Sequence, residues 1–166
     1  MAPPILRGFK VFNFLAKPVD FNRKFFDNQA IFGSHKTWRG VIISIVLGVI
    51  TALIQKWFYQ ANIFRELSGV FDYENINIWL FGFLISAGAV FGDLLFAFVK
   101  RRLRLTPGAM CIPFDQINYV IGSYLFLTPF FKIDIKIWGV LIVLTPFLHL
   151  LINRVGYLLG IHRNKW

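Results

Sequence analysis

Two aspartates carry the clearest chemical signal in this sequence. The chain has only 8 acidic residues, and most lie between apolar runs. Asp93, in VFGDLLFAFVKRR, instead sits inside one, and Asp115 follows in CIPFDQINYV. An ionised carboxylate among apolar residues is costly unless it finds a partner or a wet cavity. Lys100 comes about two helical turns after Asp93, roughly 10 Å along one face. Asp93 therefore belongs near the basic end of its helix, and Asp115 lies where the chain turns back from that same end. Two carboxylates beside Lys100, Arg101 and Arg102 suit Mg²⁺, which takes one or two carboxylates plus phosphate oxygens and water. No histidine–cysteine cluster suggests zinc. A structural ion pair with an arginine of a neighbouring helix is the other reading of Asp93, and a helix N-cap is that of Asp115.

A second constellation is GSHKTWRG, Gly33 to Gly40. Lys36, Thr37 and Arg39 stand at the start of a helix, where amide groups and the helix dipole favour an anion such as phosphate. The spacing is not that of a Walker loop, and a basic anchor at the membrane surface also explains the charges. The third is HLLINRVGYLLG. His149 and Asn153 are four apart and share a helix face, either as site groups or as a polar packing pair. Gln116 and Asn118, flanking Asp115 in DQIN, complete the polar candidates.

These residues must be positioned by membrane helices. The chain has 166 residues, 57% of them hydrophobic and 18% aromatic, against about 45–50% apolar in soluble domains. The excess is concentrated in runs long enough to cross a bilayer, which takes about 20 residues as helix. The expectation is one all-α domain over residues 1–166, a bundle of four transmembrane helices. They start near Val41, Ile76, Gln116 and Ile137 and end near Gln60, Val99, Phe131 and Leu159, with a kink at Pro146. Residues 1–16 read as an interfacial segment or a short helix. Pro and charge interrupt them, and they lack the pattern of a signal peptide.

The net charge is +10. The Lys and Arg residues lie in the gaps between apolar runs and form no basic helix face, so nucleic acid is not the expected partner. Sorted by loop, 13 basic residues fall on one side and 4 on the other. The richer side is expected to be cytoplasmic in a multi-pass protein of the cell membrane. The single cysteine, Cys111, excludes an internal disulfide and reads as a small apolar filler.

The three motifs, in this order, resemble those of the CDP-archaeol synthases. The likeness rests on SHKTWRG, on GDLLFAFVKRRLRLTPGAMCIPFDQINYVIG and on HLLINRVGYLLG, and it covers about residue 17 onward. The family is related to the CTP:phosphatidate cytidylyltransferases. The resemblance implies a CTP-dependent nucleotidyltransferase. A lipid phosphate, 2,3-bis-O-geranylgeranylglycerol phosphate or similar, would attack CTP to give a CDP-lipid and pyrophosphate. It implies that Asp93 and Asp115 ligate Mg²⁺, and that Lys36, Arg39, Lys100 and Arg101 engage phosphates. Arg102 and Thr37 join that set from their positions. Asp93, Lys100 and Asp115 are the expected catalytic residues. CTP, the lipid phosphate and membrane lipids are the expected partners, and a homodimer stays open. Two features depart from the family pattern. Members begin with a further membrane helix, of which only MAPPILRGF is reminiscent here. They also carry an acidic residue at the position of Asn118. A small membrane transporter and a non-enzymatic scaffold are the competing readings. The first would need paired broken helices, and no internal repeat supports it.

Overall fold

The computed structural model describes residues 15–61, 73–105, 111 and 113–158. It contains helices α1 (Trp38–Gln60), α2 (Ile78–Arg102), α3 (Phe114–Leu127) and α4 (Ile135–Leu158). The segment 1–14 expected to be interfacial, most of the loop after α1 and the tail beyond Leu158 lie outside the described residues. All four expected helices form, with ends set by local chemistry. Thr37 caps α1, its hydroxyl accepting from the Gly40 N–H at 3.3 Å. Asn77 caps α2 in the same way, through the Leu80 N–H at 3.1 Å. α2 continues past Val99, so that Lys100, Arg101 and Arg102 form its last turn, where cations complement the helix dipole. α3 stops at Leu127, with Thr128 still helical as its cap, because Pro129 has no N–H to continue the hydrogen-bond ladder.

Among the described residues three helices, α1, α2 and α4, are long and apolar enough to cross a membrane. α3 has 14 residues, a length of about 21 Å, short of the roughly 30 Å hydrocarbon core. The connection after it, through Thr128–Asp134, must therefore complete the passage to the start of α4. Large apolar side chains stay exposed along α1 and α4, among them Val46, Ile50, Val143, Phe147 and Leu151. Such all-round apolarity suits a lipid environment.

Helix α2 is the centre of the bundle. It packs against α1 on one side and α3 on the other, while α4 reaches the bundle through α3, and α1 does not approach α4. Small residues make these contacts possible. A Cβ on Gly88 would come 2.6 Å from the Gly122 carbonyl oxygen and 2.7 Å from Ser123 Cα. One on Gly92 or Gly122 would overlap the backbone of the facing helix. Across the α1 side, a Cβ on Gly82 would meet Ala52 Cβ and Val49 Cα at 3.0 Å. Buried hydroxyls find acceptors, as lipid requires. Ser123 donates to the Ile85 carbonyl at 2.9 Å, and Ser86 to that of Gly82 at 2.5 Å. The buried apolar cluster, Ala52, Ile78, Phe81, Leu84, Val120, Leu127 and Trp138, fills the end of the bundle remote from Arg102. The polar groups collect at the other end.

The backbone contact generates a prediction. Gly122→Ala should lower the unfolding temperature of the detergent-solubilised protein by roughly 5 °C, since overpacking costs about 1–3 kcal/mol. Gly139→Ala, on α4 where nothing lies within 4 Å of an added Cβ, should leave it unchanged. Equal melting of the two variants would refute the close α2–α3 contact.

Candidate active site

The polar end of the bundle encloses a cavity of about 920 Å³, within the range of small-molecule sites. Both sequence-predicted aspartates line it, as do Lys36, Thr37, Lys100, Arg101, Gln116, Asn118, His149 and Asn153. Four separate segments thus converge. The cavity continues between α1 and α4 towards Ala52, Phe81 and Trp138, so one end is charged and the other apolar. The backbones of α1 and α4 do not approach one another, and both helices line the cavity.

The carboxylates are held by lysines. Lys36 Nζ donates to Asp93 Oδ2 at 2.6 Å. Lys100 Nζ lies 2.5 Å from Asp115 Oδ1 and 2.6 Å from Oδ2. Asp93 is thus paired with a loop lysine brought over its helix. Asp115 lies in the first turn of α3, after the cap residue Pro113. Its Oδ2 also accepts from the Cys111 N–H at 2.9 Å. Arg101 is buried, 7% exposed.

Lys36 reaches Asp93 because the 17–37 loop is tied down at several points. Asp20, 5% exposed, accepts from the N–H of Phe32 at 2.9 Å, of Gly33 at 3.0 Å and of Asn22 at 3.0 Å. Burial pushes the Asp20 carboxyl up, but these amide donors outweigh it and hold it below the ordinary carboxylate range. Gly33 has φ +98°, a left-handed conformation that glycine adopts without strain. The Lys36 carbonyl accepts from the Val19 N–H at 2.8 Å, and the Trp38 N–H donates to Lys17 at 3.1 Å.

Arg102, expected among the phosphate groups, is placed differently. Its Nε lies 2.8 Å from Asp27 Oδ2, and its Nη2 donates to the Ala30 carbonyl at 2.7 Å. Its guanidinium also stacks over Phe98 and Phe25, 4.5 and 4.9 Å from the ring centres. It does not line the cavity. It clamps the loop to the end of α2, and so acts on the site through Lys36. Arg39 likewise lies outside the cavity lining, with its Nε buried and unpartnered. The Thr37 hydroxyl is engaged as the α1 cap. Asn153 Nδ2 lies 3.3 Å from His149 Nδ1, so this pair both packs together and lines the cavity. Tyr119, four residues after Asp115, also faces the cavity. Sequence reading passed over it, although the i, i+4 spacing from Asp115 was the available signal.

The donor set fits a hard divalent cation. Two carboxylates face one cavity, and the side-chain oxygens of Gln116 and Asn118, each residue 4% exposed, are buried without a partner. All are oxygen donors, as Mg²⁺ prefers. Among the described residues no group of three or more His, Cys, Asp and Glu side chains gathers to hold a metal. The remaining coordination positions would fall to phosphate oxygens and water, the usual arrangement for magnesium.

Comparison with known proteins agrees in one direction. Residues 9–166 match a family model described as CarS-like, CDP-archaeol synthase. The chain is 35% identical over 167 residues to a CDP-archaeol synthase of Pyrobaculum aerophilum, covering 99% of this chain and 93% of the relative. It is 34% identical over 149 residues to one of Methanococcus aeolicus, covering 90% of this chain and 83% of that one. A solved structure, reported as an intramembrane enzyme for archaeal membrane lipids biosynthesis, superposes with a TM-score of 0.68 at 21% identity. It covers 91% of this chain and 88% of that one, and supports the fold.

The loop geometry makes a testable statement about pH. A carboxyl with a depressed folded pKa stabilises above its unfolded value, about 3.9, and that contribution is lost as pH falls through the folded pKa. Hydrogen exchange at the Phe32 and Gly33 amides should therefore be slow at neutral pH. Asp20→Ala should accelerate it by about tenfold or more, the loss of charge-assisted bonds being worth about 1.5–3 kcal/mol. Unchanged protection in that variant would mean that Asp20 does not hold the loop.

Proposed function

The chain belongs to the CDP-archaeol synthase family, and from that premise we propose how its cavity carries out the reaction. It is a membrane-embedded, CTP-dependent nucleotidyltransferase that transfers a cytidylyl group to an archaeal lipid phosphate. In finer detail, the acceptor is 2,3-bis-O-geranylgeranylglycerol phosphate or a close relative, and the products are the CDP-lipid and pyrophosphate. The observation that carries this reading is the single cavity with two carboxylate–lysine pairs at one end and apolar helix faces at the other. An amphiphilic phosphate matches both ends at once. The excess of Lys and Arg on the loops at the polar end supports a cytoplasmic opening, where CTP is available.

The chemistry asks little of acid–base groups. A phosphomonoester has a second pKa of about 6, so the attacking oxygen is already anionic at neutral pH. It attacks the α-phosphorus of CTP, the new P–O bond forms, and the bond to the β-phosphate bridging oxygen breaks to release pyrophosphate. The obstacle is the mutual repulsion of two polyanions. Lys36, Lys100 and Arg101 supply positive charge at the place where the phosphates must meet. Lysine acts as a mobile point charge, while arginine grips two oxygens at once. Asp93 and Asp115 would hold Mg²⁺, which when bound supplies charge neutralisation at phosphoryl oxygens. The buried amides of Gln116 and Asn118 would orient groups beside it. Arg102 keeps Lys36 over the site by holding its loop.

The test is turnover by purified protein given radiolabelled CTP, Mg²⁺ and the lipid phosphate. Wild type should form a CDP-lipid, identified by mass spectrometry. Asp93→Asn should lose at least about a hundredfold in rate, the scale of removing one charge-stabilising group, while still inserting and eluting as wild type. Near-normal turnover of Asp93→Asn would defeat the assignment.

A further inference from the structure

The two lysines that would meet phosphate are the same two that occupy the carboxylates. Lys36 sits on Asp93 at 2.6 Å and Lys100 on Asp115 at 2.5 Å. The side chains are mostly buried, at 14% and 33% exposure for the first pair and 12% and 28% for the second, so salt screens them weakly. We propose that Lys36 and Lys100 are resident counter-cations, which hold the carboxylates until a divalent cation–polyphosphate chelate arrives, so that the site takes the chelate as one ligand and neither of its ions tightly alone. This rests on the magnesium reading of Asp93 and Asp115 given above.

The argument is one of charge compensation. A divalent cation arriving alone must displace both ammonium groups from their carboxylates and add its own positive charge beside buried Arg101. A polyphosphate arriving alone can draw the lysines away only by setting its own negative charge beside two carboxylates that have lost those cations. When both arrive, each separated group meets an opposite charge: carboxylate to metal, ammonium to phosphate. The side chains suit the exchange. Lysine swings on a flexible four-carbon stem, whereas an arginine fork would be held by geometry. The backbones stay in place, because Lys36 is tied at its carbonyl and Asp115 keeps the Cys111 N–H when its lysine leaves. Cation and polyphosphate are thus coupled through the protein, and the coupling must be reciprocal.

Manganese is the probe, read by electron paramagnetic resonance as free Mn²⁺ in titrations of protein without nucleotide. Lys36→Met removes the lysine from Asp93 and should bind Mn²⁺ about tenfold more tightly than wild type, within the usual span of coupling factors. Lys100→Met should do the same through Asp115. Arg104→Met, which removes an exposed charge from the same end of α2, should bind as wild type. Equilibrium dialysis of radiolabelled CTP should show Mn²⁺ strengthening CTP binding more in wild type than in Lys36→Met. Unchanged or weaker Mn²⁺ binding in both lysine variants would overturn the exchange. So would equal tightening in Arg104→Met, which would reduce the effect to net charge. Failure of every protein to bind Mn²⁺, even with CTP, would overturn the magnesium reading itself. Retained hydrogen-exchange protection at Phe32 and Gly33 in Lys36→Met separates these results from a loosened loop.

Discussion

Helices α2 and α3 touch backbone to backbone, and the placing of both carboxylates in the cavity follows from that contact. Gly88 and Gly92 on one helix and Gly122 on the other leave no room for a Cβ between them. Asp93 is the residue after Gly92, and Asp115 begins the helix that Gly122 fixes. Bringing these backbones together carries the two carboxylates to one end of the bundle. Any larger residue in that seam would separate them. Membrane helices gain little from hydrophobic association, because lipid is as apolar as their side chains, so close packing of small residues does this work.

Once assembled, the carboxylates create an electrostatic demand. Buried charge without compensation is among the most costly features a fold can contain. The chain meets the demand twice with lysine, once from the end of α2 and once from a loop 57 residues away in sequence from Asp93. That loop is itself a small structure built around Asp20 and clamped by Arg102. The layers are thus linked: glycine seam, carboxylate pair, lysine partners, and the loop that delivers one of them. Helices α1 and α4 give the same cavity an apolar side, which an amphiphilic substrate needs.

Much of this was legible in the sequence. Runs of bilayer length exposed the helices, because lipid permits few alternatives to a hydrogen-bonded helix. Asp93 and Asp115 stood out because ionised residues in apolar runs are rare. Helix ends were less legible, since caps such as Thr37 and Asn77 act through single hydrogen bonds. Pairings depending on tertiary docking were not legible at all. Nothing local joins Lys36 to Asp93, or turns Arg102 from the cavity to Asp27 and the rings of Phe25 and Phe98. The end of α3 was misplaced, at Phe131 rather than Leu127, because apolar residues continue past it into a non-helical connection.

The most direct measurement is a structure of the protein with Mn²⁺ and a non-hydrolysable CTP analogue, the metal located by its anomalous scattering. The expected result is a manganese peak within bonding distance of oxygens from both Asp93 and Asp115, with Lys36 moved from Asp93 onto a phosphate. A nucleotide and metal bound elsewhere, with both lysine–carboxylate pairs still intact, would contradict it.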